Sequence, residues 1–180
     1  MSGILVLTPF INHDGGEIRS MDVAPVEYKL ATCGTEEDGA GVVMIWSLHP
    51  VVNDVRARRV VEEEEKALLA RISMDSQVNA IRWSRCCKYF AVATLDETVE
   101  VWECEGRTGG SHDENQEKYT RLHALHGHTD EVWSVDWSWD GGMLASASAD
   151  ERVIVWNARH LPEQLAVLDY SRDGHDGPVK

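Results

Sequence analysis

The chain has 180 residues, with 31 Asp and Glu against 17 Lys and Arg, so its formal net charge is −14. This balance argues against direct nucleic-acid binding, which depends on neutralising phosphates with Lys and Arg. No apolar stretch approaches the ~18 residues of a membrane span, and no basic segment precedes the short apolar run near the N-terminus. The acidic runs at 36–38, 62–65 and 113–114 are typical of solvated loops, with a surface for basic partners as the alternative.

The first third of the chain contains a loose set of strand patterns. Three apolar segments are IRSMDVAP from Ile18, LATCG from Leu30 and VVMIWS ending at Ser47. Each is short, rich in residues that favour strands and bounded by turn residues. The polar stretch 35–41 lengthens the turn before the third of them. We therefore predict three successive strands.

The next segment carries two opposed signals. Residues 60–72, VVEEEEKALLARI, are strong helix formers throughout. Their position six residues before Val78 instead matches the outer strand of the repeat described below. Local propensity is a weak argument against a repeat register, so we predict a strand from about Leu68 to Ile72, with the glutamates in the loop before it.

Two closer copies of the same unit follow. One runs from Ile81 to Trp102 and the other from Val135 to Trp156, and in both the two tryptophans are 19 residues apart. Asp96 occupies the place of Asp150. The closing tryptophans are Trp46, Trp102 and Trp156, at intervals of 56 and 54 residues. These exceed the ~40–45 usual for WD repeats, and the excess lies in polar stretches at about 51–65 and 105–118.

The third unit contains four polar residues whose spacing would allow them to bond to one another. His128, Ser146, Asp150 and Trp156 are placed to form one hydrogen-bonded chain from carboxylate to imidazole, hydroxyl and indole. Although they resemble a catalytic triad in composition, their hydroxyl would face the buried indole rather than a substrate. We therefore predict a structural tetrad. The second unit has Met74 and Val92 at the corresponding positions, so we predict no tetrad there.

These repeats predict an all-β fold, a WD-repeat β-propeller that is incomplete here. The expected blades span about 14–72, 75–125 and 128–170, and a fourth begins at about 175, where 175–179 repeats the opening signal of 128–132. Residues 4–10 read as a strand whose partner would lie in the last blade of a ring. Because closed propellers need about 4–8 blades, we expect the N-terminal part of a larger protein, with a short isoform or an incomplete gene model as alternatives.

Neither the cysteines nor the histidines form a convincing metal site. Cys86 and Cys87 are adjacent, so they cannot act as a C-x-x-C pair on one zinc ion. Cys33 falls in a predicted second strand and Cys104 just after a third, where reduced structural thiols are ordinary. His123 and His126 alternate with His128, which the tetrad already uses. The chain also lacks a phosphate-binding glycine loop, G-x-S-x-G and H-E-x-x-H. We predict no metal, no cofactor and no enzymatic activity.

Among WD-repeat proteins the chain most resembles the HIRA/Hir family of histone chaperone subunits. The resemblance covers essentially all 180 residues. The stretches that carry it are 11–25 (INHDGGEIRSMDVAP), 42–54 (VVMIWSLHPVVND), 78–84 (VNAIRWS) and 153–168 (VIVWNARHLPEQLAVL). The chain departs from the family in lacking a second-blade tetrad and in the acidic character of its insert at 107–118.

The resemblance implies a scaffold subunit of a nuclear complex that deposits histones outside replication. In that family the propeller docks a ubinuclein-like companion subunit, and histones are bound directly or through the complex. The charge and the lack of a long apolar stretch, described above, predict no direct nucleic-acid or membrane binding by this segment. The alternative is the WD-repeat adaptor of cytosolic iron–sulfur protein assembly, whose repeats also read HTDxVWSVxWS. The segments at 49–52 (HPVV) and 160–165 (HLPEQL) favour the histone regulator.

Overall fold

The computed structural model describes residues 13, 15–48, 68–107 and 117–169, and these form three four-stranded antiparallel sheets. In each sheet consecutive strands are hydrogen-bonded neighbours. Blade 1 consists of β1 (Ile18–Val23), β2 (Lys29–Thr35), β3 (Gly41–Ser47) and β4 (Leu68–Met74). Blade 2 consists of β5 (Val78–Trp83), β6 (Tyr89–Thr94), β7 (Thr98–Arg107) and β8 (Glu117–His126). Blade 3 consists of β9 (Val132–Trp137), β10 (Met143–Ser148), β11 (Val153–Asn157) and β12 (Gln164–Leu168).

The all-β fold is confirmed, and the ambiguous segment is a strand as predicted. β4 begins at Leu68 and runs two residues past the predicted end, because its ladder with β3 continues to the pair Gly41 and Met74. No helix among the described residues is long and apolar enough to cross a membrane. The predicted strand at 4–10, the polar stretch 51–65 and the start of a fourth blade at 175 lie outside the described residues.

The polar stretch of blade 2 is shorter than the sequence suggested. β7 continues to Arg107 and β8 begins at Glu117, so both ends of the predicted insert belong to a long hairpin. Lys118 bonds to Glu105 across the two strands, with Nζ and Oε2 2.6 Å apart. Cys104 consequently lies inside β7 and not after a strand.

The two middle strands of blade 1 are buried on both faces. Every residue of β2 except Lys29 is buried, as is every residue of β3 except Ser47. Such strands read as continuous apolar runs because neighbouring layers cover both sides of the sheet. The outer strand β12 is exposed at every position, although four of its five residues are apolar.

Adjacent blades pack face to face through two separate cores. Between blades 1 and 2, side chains such as Ile45, Ile81 and Phe90 are fully excluded from solvent. Between blades 2 and 3, Leu125 and Trp156 occupy the equivalent layer. A single blade cannot bury both of its faces alone, so stability comes from stacking neighbours.

Polar contacts fix the angle between blades along their first strands. Asp22 of β1 accepts a hydrogen bond from the Trp83 amide of β5 at 2.7 Å. Asn79 of β5 accepts a bond from Arg19 at 2.9 Å and donates one to the Val132 carbonyl of β9, also at 2.9 Å. One amide side chain therefore links all three blades.

Candidate functional site

The four polar residues of the third unit come together in blade 3. The Nδ1 of His128 lies 2.9 Å from Asp150 Oδ2, and its Nε2 lies 2.8 Å from Ser146 Oγ. The indole N–H of Trp156 donates to the same hydroxyl at 2.9 Å. The side chains of His128 and Asp150 are only 1% and 3% exposed. The Ser146 hydroxyl thus bonds to both His128 and Trp156, and it is buried. A substrate therefore has no access to it.

Asp150 also organises the turn in which it lies. Its carboxylate accepts bonds from the Thr129 amide at 3.0 Å and the Arg152 amide at 2.9 Å. Burial acts to raise the pKa of Asp150, but the bonds from His128 and from the Thr129 and Arg152 amides outweigh it. Its pKa is therefore lowered, and the carboxylate is held ionised beside the imidazole.

Blade 2 satisfies its closing tryptophan in a different way. The indole N–H of Trp102 donates to Glu100 Oε2 at 2.9 Å, and the other oxygen of Glu100 accepts a bond from Arg121 at 2.7 Å. Met74 and Val92, at the positions of the missing histidine and serine, are buried apolar residues. The hydrogen bond to Glu100, together with its charge, raises the pKa of Arg121. An ion pair between the buried Glu100 and the partly exposed Arg121 here takes the place of the tetrad.

The remaining polar residues of blade 2 form a separate turn motif. Asp96 accepts hydrogen bonds from the hydroxyls of Thr94 and Thr98, the latter at 2.9 Å. Asp96 therefore occupies a turn position similar to that of Asp150, with which it aligns in the sequence, but it bonds to different partners. Sequence reasoning missed the Glu100–Arg121 pair, although a glutamate two residues before a closing tryptophan was a signal for it.

Blade 1 holds a three-residue version of the blade 3 tetrad. His13 Nε2 lies 2.9 Å from Thr32 Oγ1, and the Trp46 indole N–H donates to the same oxygen at 2.9 Å. All three residues are buried. The sequence held the signal, because His13 and Thr32 are separated by 19 residues and His128 and Ser146 by 18. The extended turn at 35–41 hid this correspondence.

A second polar cluster joins blades 1 and 2. Lys29 lies 2.8 Å from Glu117 and 2.6 Å from Glu27, and the Tyr119 hydroxyl donates to Glu117 at 2.7 Å. Burial acts to lower the pKa of Lys29, but the hydrogen bonds to both glutamates outweigh it and the pKa is raised. Burial, reinforced by Glu117, raises the pKa of Tyr119. Lys29 and Tyr119 therefore keep their protons at neutral pH, and the bond between Lys29 and Glu117 links blade 1 to blade 2.

The thiols and histidines do not assemble into a metal centre in the described part of the chain, where no three His, Cys, Asp or Glu side chains converge. Burial raises the pKa of the Cys33 thiol to about 12, so it stays protonated, whereas metal ligation needs the thiolate. His128 is committed to Asp150 and Ser146. Cys86 is exposed while its neighbour Cys87 is buried.

A groove of about 720 Å³ opens between blades 2 and 3, at the end of the strands opposite the tetrad turn. It is lined by Arg85 and Tyr89 of blade 2 and by Trp137, Arg159 and Leu161 of blade 3, with Val26 of blade 1 at one side. We call it the loop-side groove. The groove has room for a ligand, and nothing in the sequence pointed to it.

The chain matches the WD40 family, described as "WD domain, G-beta repeat", at residues 69–103 and 119–157. It is 38% identical to Protein HIRA of Caenorhabditis elegans over 178 residues, which cover 94% of this chain. It is 34% identical to Protein HIRA of Takifugu rubripes over 168 residues (89% of the chain) and of Homo sapiens over 172 residues (90%). This chain is a WD-repeat segment of the HIRA/Hir family.

As a HIRA/Hir segment, the chain spans a small share of its relatives. It covers 18% of the Caenorhabditis elegans protein and 16% of the other two. The two WD matches begin in β4 and β8, the outer strands, and end in β7 and β11. Each sequence repeat is thus offset from its blade by one strand, because it contains the outer strand of one blade and the first three strands of the next.

Proposed function

We propose that this HIRA/Hir segment is a non-enzymatic protein-interaction scaffold of a nuclear histone chaperone complex. The complex would serve replication-independent nucleosome assembly and transcription regulation. The observation that carries the proposal is the similarity to Protein HIRA along about nine-tenths of the chain, at 34–38% identity in three animals. Its partners would be proteins: a ubinuclein-like companion subunit, and histones bound directly or through the complex.

The internal use of polar groups supports a scaffold over an enzyme. The tetrad of His128, Ser146, Asp150 and Trp156 is buried and mutually bonded, and we propose that its role is structural. Blade 2 supports its tryptophan with an ion pair instead. Groups committed to holding strands together are unsuited to proton transfer or nucleophilic attack, which need access to a substrate.

The charges of the segment favour shape over electrostatic attraction as the basis of partner binding. Several carboxylates are already neutralised by basic side chains of the same chain. These pairs are Glu36 with Arg71, Glu103 with Lys88, Glu105 with Lys118, and Glu117 with Lys29. This pairing leaves the net charge of −14 unchanged, but it makes these carboxylates less available to bond to a basic partner. We expect neutralising the acidic run 62–65, outside the described residues, to change histone association little.

Depletion of the full-length protein tests the proposal. Replication-independent histone incorporation into chromatin should fall, and a ubinuclein-like subunit and histones should co-purify with the protein from nuclear extract. Re-expression of the wild-type protein should restore incorporation. If incorporation is unchanged while cytosolic iron–sulfur enzymes lose activity, the proposed function is wrong and the protein serves iron–sulfur protein assembly instead.

A further inference from the structure

We propose that the loop-side groove binds an extended peptide that is both apolar and acidic, with an apolar side chain on the groove floor and a carboxylate against Arg85. This inference rests on the proposed function as an interaction scaffold and adds the location and chemistry of one docking site. It depends on the lining of the groove, on the state of Arg85 and on the balance of charge around the rim.

The floor of the groove is apolar, and its residues lie in β7, β8 and β9 and in the turn between β11 and β12. Trp137 and Leu161 pack against the core between blades 2 and 3, and Val101 is a buried member of that core. Leu122 of β8 lines the same groove and is 42% exposed. The Trp137 indole N–H is already bonded to the Arg82 carbonyl at 3.1 Å, so the ring offers a ligand its apolar face. Such a floor favours an aliphatic or aromatic side chain.

Arg85 lies at the rim and has no ionic partner in the part of the chain that the structure describes. Its guanidinium carbon lies 3.2 Å from the centre of the Trp139 ring, and that tryptophan is 78% exposed. No carboxylate among the described residues forms an ion pair with Arg85, whereas the nearby Lys88 is paired with Glu103 at 2.7 Å. Stacking orients the guanidinium and leaves its N–H edges free, which is the geometry that binds a carboxylate through two bonds.

The other charges at the rim do not cancel Arg85. Asp140 is held by the Ser138 hydroxyl at 2.7 Å and the Gly142 amide at 3.0 Å, and these bonds lower its pKa. Arg159 lies 3.5 Å from the same carboxylate. The rim therefore keeps an excess positive charge in a chain of net charge −14. Charge complementarity selects an acidic partner, and two guanidiniums beside an apolar floor fit a short peptide better than a polyphosphate backbone.

A direct binding measurement with the purified full-length protein tests the docking site. The probes are three fluorescent 12-residue peptides: one alternating Leu and Phe with Glu and Asp, one with Lys in place of the acidic residues, and one with Ser in place of the apolar residues. The acidic apolar peptide should bind more tightly than either of the others. Equal binding of all three, or of none, would overturn the proposal.

Two substitutions and one matched control locate the site. Arg85→Glu should weaken the acidic apolar peptide about tenfold or more and strengthen the Lys peptide, because the rim charge is reversed. Leu122→Ser should weaken both apolar peptides. Arg152→Glu makes the same charge change at the opposite end of the strands and should leave binding unaltered. Equal effects of Arg85→Glu and Arg152→Glu would contradict the site.

Competition and cell assays separate the remaining outcomes. If millimolar inorganic phosphate displaces the acidic peptide and Leu122→Ser has no effect, the groove is a simple anion site and the peptide proposal is wrong. If the wild-type protein does not bind the acidic apolar peptide but its depletion lowers histone incorporation, the docking site is wrong and the proposed function stands. Specific peptide binding by a protein whose depletion leaves incorporation unchanged would remove the proposed function and keep the docking site.

Discussion

Blades 2 and 3 share a strand order and a closing tryptophan but support that tryptophan with different chemistry. Trp156 donates to a neutral hydroxyl backed by His128 and Asp150, whereas Trp102 donates directly to the carboxylate of Glu100, which Arg121 neutralises. In both blades the indole N–H has a partner, as the cost of burying an unpaired donor requires. The comparison teaches that the fold demands an acceptor at this place and does not demand the tetrad.

The tetrad and the ion pair also differ in which parts of the blade they connect. The tetrad ties the third strand to the turn before the first strand, because His128 precedes β9 and Asp150 lies between β10 and β11. The ion pair of blade 2 stays between two neighbouring strands, β7 and β8. Breaking the tetrad should therefore loosen a whole blade, and breaking the ion pair should loosen one hairpin.

Removing the tryptophans should give the largest effects. Trp156 is fully buried, so Trp156→Ala should destabilise the protein by about 3–5 kcal/mol through lost contacts and a cavity. Trp102 is only partly buried, and Trp102→Ala should cost less. Unfolding in guanidinium chloride of the full-length protein and its variants measures the difference. A larger loss for Trp102→Ala would show that blade 2 is the better packed of the two.

The tetrad itself should contribute a smaller amount. Asp150→Ala leaves the buried imidazole and the Thr129 and Arg152 amides without their acceptor, and should cost on the order of 1–3 kcal/mol. Native-state hydrogen exchange should show faster exchange across β9 to β11 and little change in β5 to β8. Equal acceleration in both blades would mean that the tetrad acts on the whole assembly and not on its own blade.

Acid should weaken blade 3 through the same residue. The pKa of Asp150 is lowered from 3.8, so its ionised form stabilises the fold fully above that pH, and the contribution is lost as pH falls through the lower folded value. Asp150→Asn should flatten the pH dependence of stability below about pH 4. Asp136→Asn, which removes one charge on the exposed side of β9, is the matched control. An unchanged slope in Asp150→Asn would contradict the assignment.

The ion pairs of Arg121 should give the smallest effect and the sharpest contrast. Arg121 bonds to Asp75, whose side chain is 82% exposed, as well as to Glu100, whose side chain is 6% exposed. Asp75→Ala should change stability by less than about 0.5 kcal/mol, since exposed pairs are screened by water. Glu100→Ala should cost several times more because it leaves the Trp102 N–H unpaired. Equal losses of thermal stability in Asp75→Ala and Glu100→Ala would show that the charge of Arg121, and not the burial of the carboxylate, determines how much each ion pair contributes.

Most of the fold could be predicted because blade residues recur at fixed spacing. The match between Ile81 to Trp102 and Val135 to Trp156 identified two sheets, and the repeat register correctly made Leu68 to Ile72 a strand against its helical propensity. The length of the β7–β8 hairpin was not predictable in the same way. The backbone pairing continues to Arg107 and Glu117 across a register shift between Cys104 and Gly106, and sequence spacing does not specify such a shift.

The polar residues could be predicted only where they follow the common spacing. His128, Ser146 and Asp150 do so, and the structure brings them together. Glu100 and Arg121 belong to adjacent strands whose register shifts at Val101 and Trp102, so their contact depends on an irregularity that a regular pattern cannot contain. The loop-side groove assembles residues from three blades, and its shape exists only after the blades have packed.

Because the four thiols differ in exposure, this chain offers a natural position for a fluorescent label. Cys86 is exposed at the rim of the loop-side groove, whereas Cys33 and Cys87 are buried. Because the thiolate is the reactive form and burial raises the pKa of Cys33 to about 12, a maleimide dye at neutral pH should attach to Cys86 within this chain far faster than to Cys33. The emission of that dye would then register each arrival and departure of a ligand in real time.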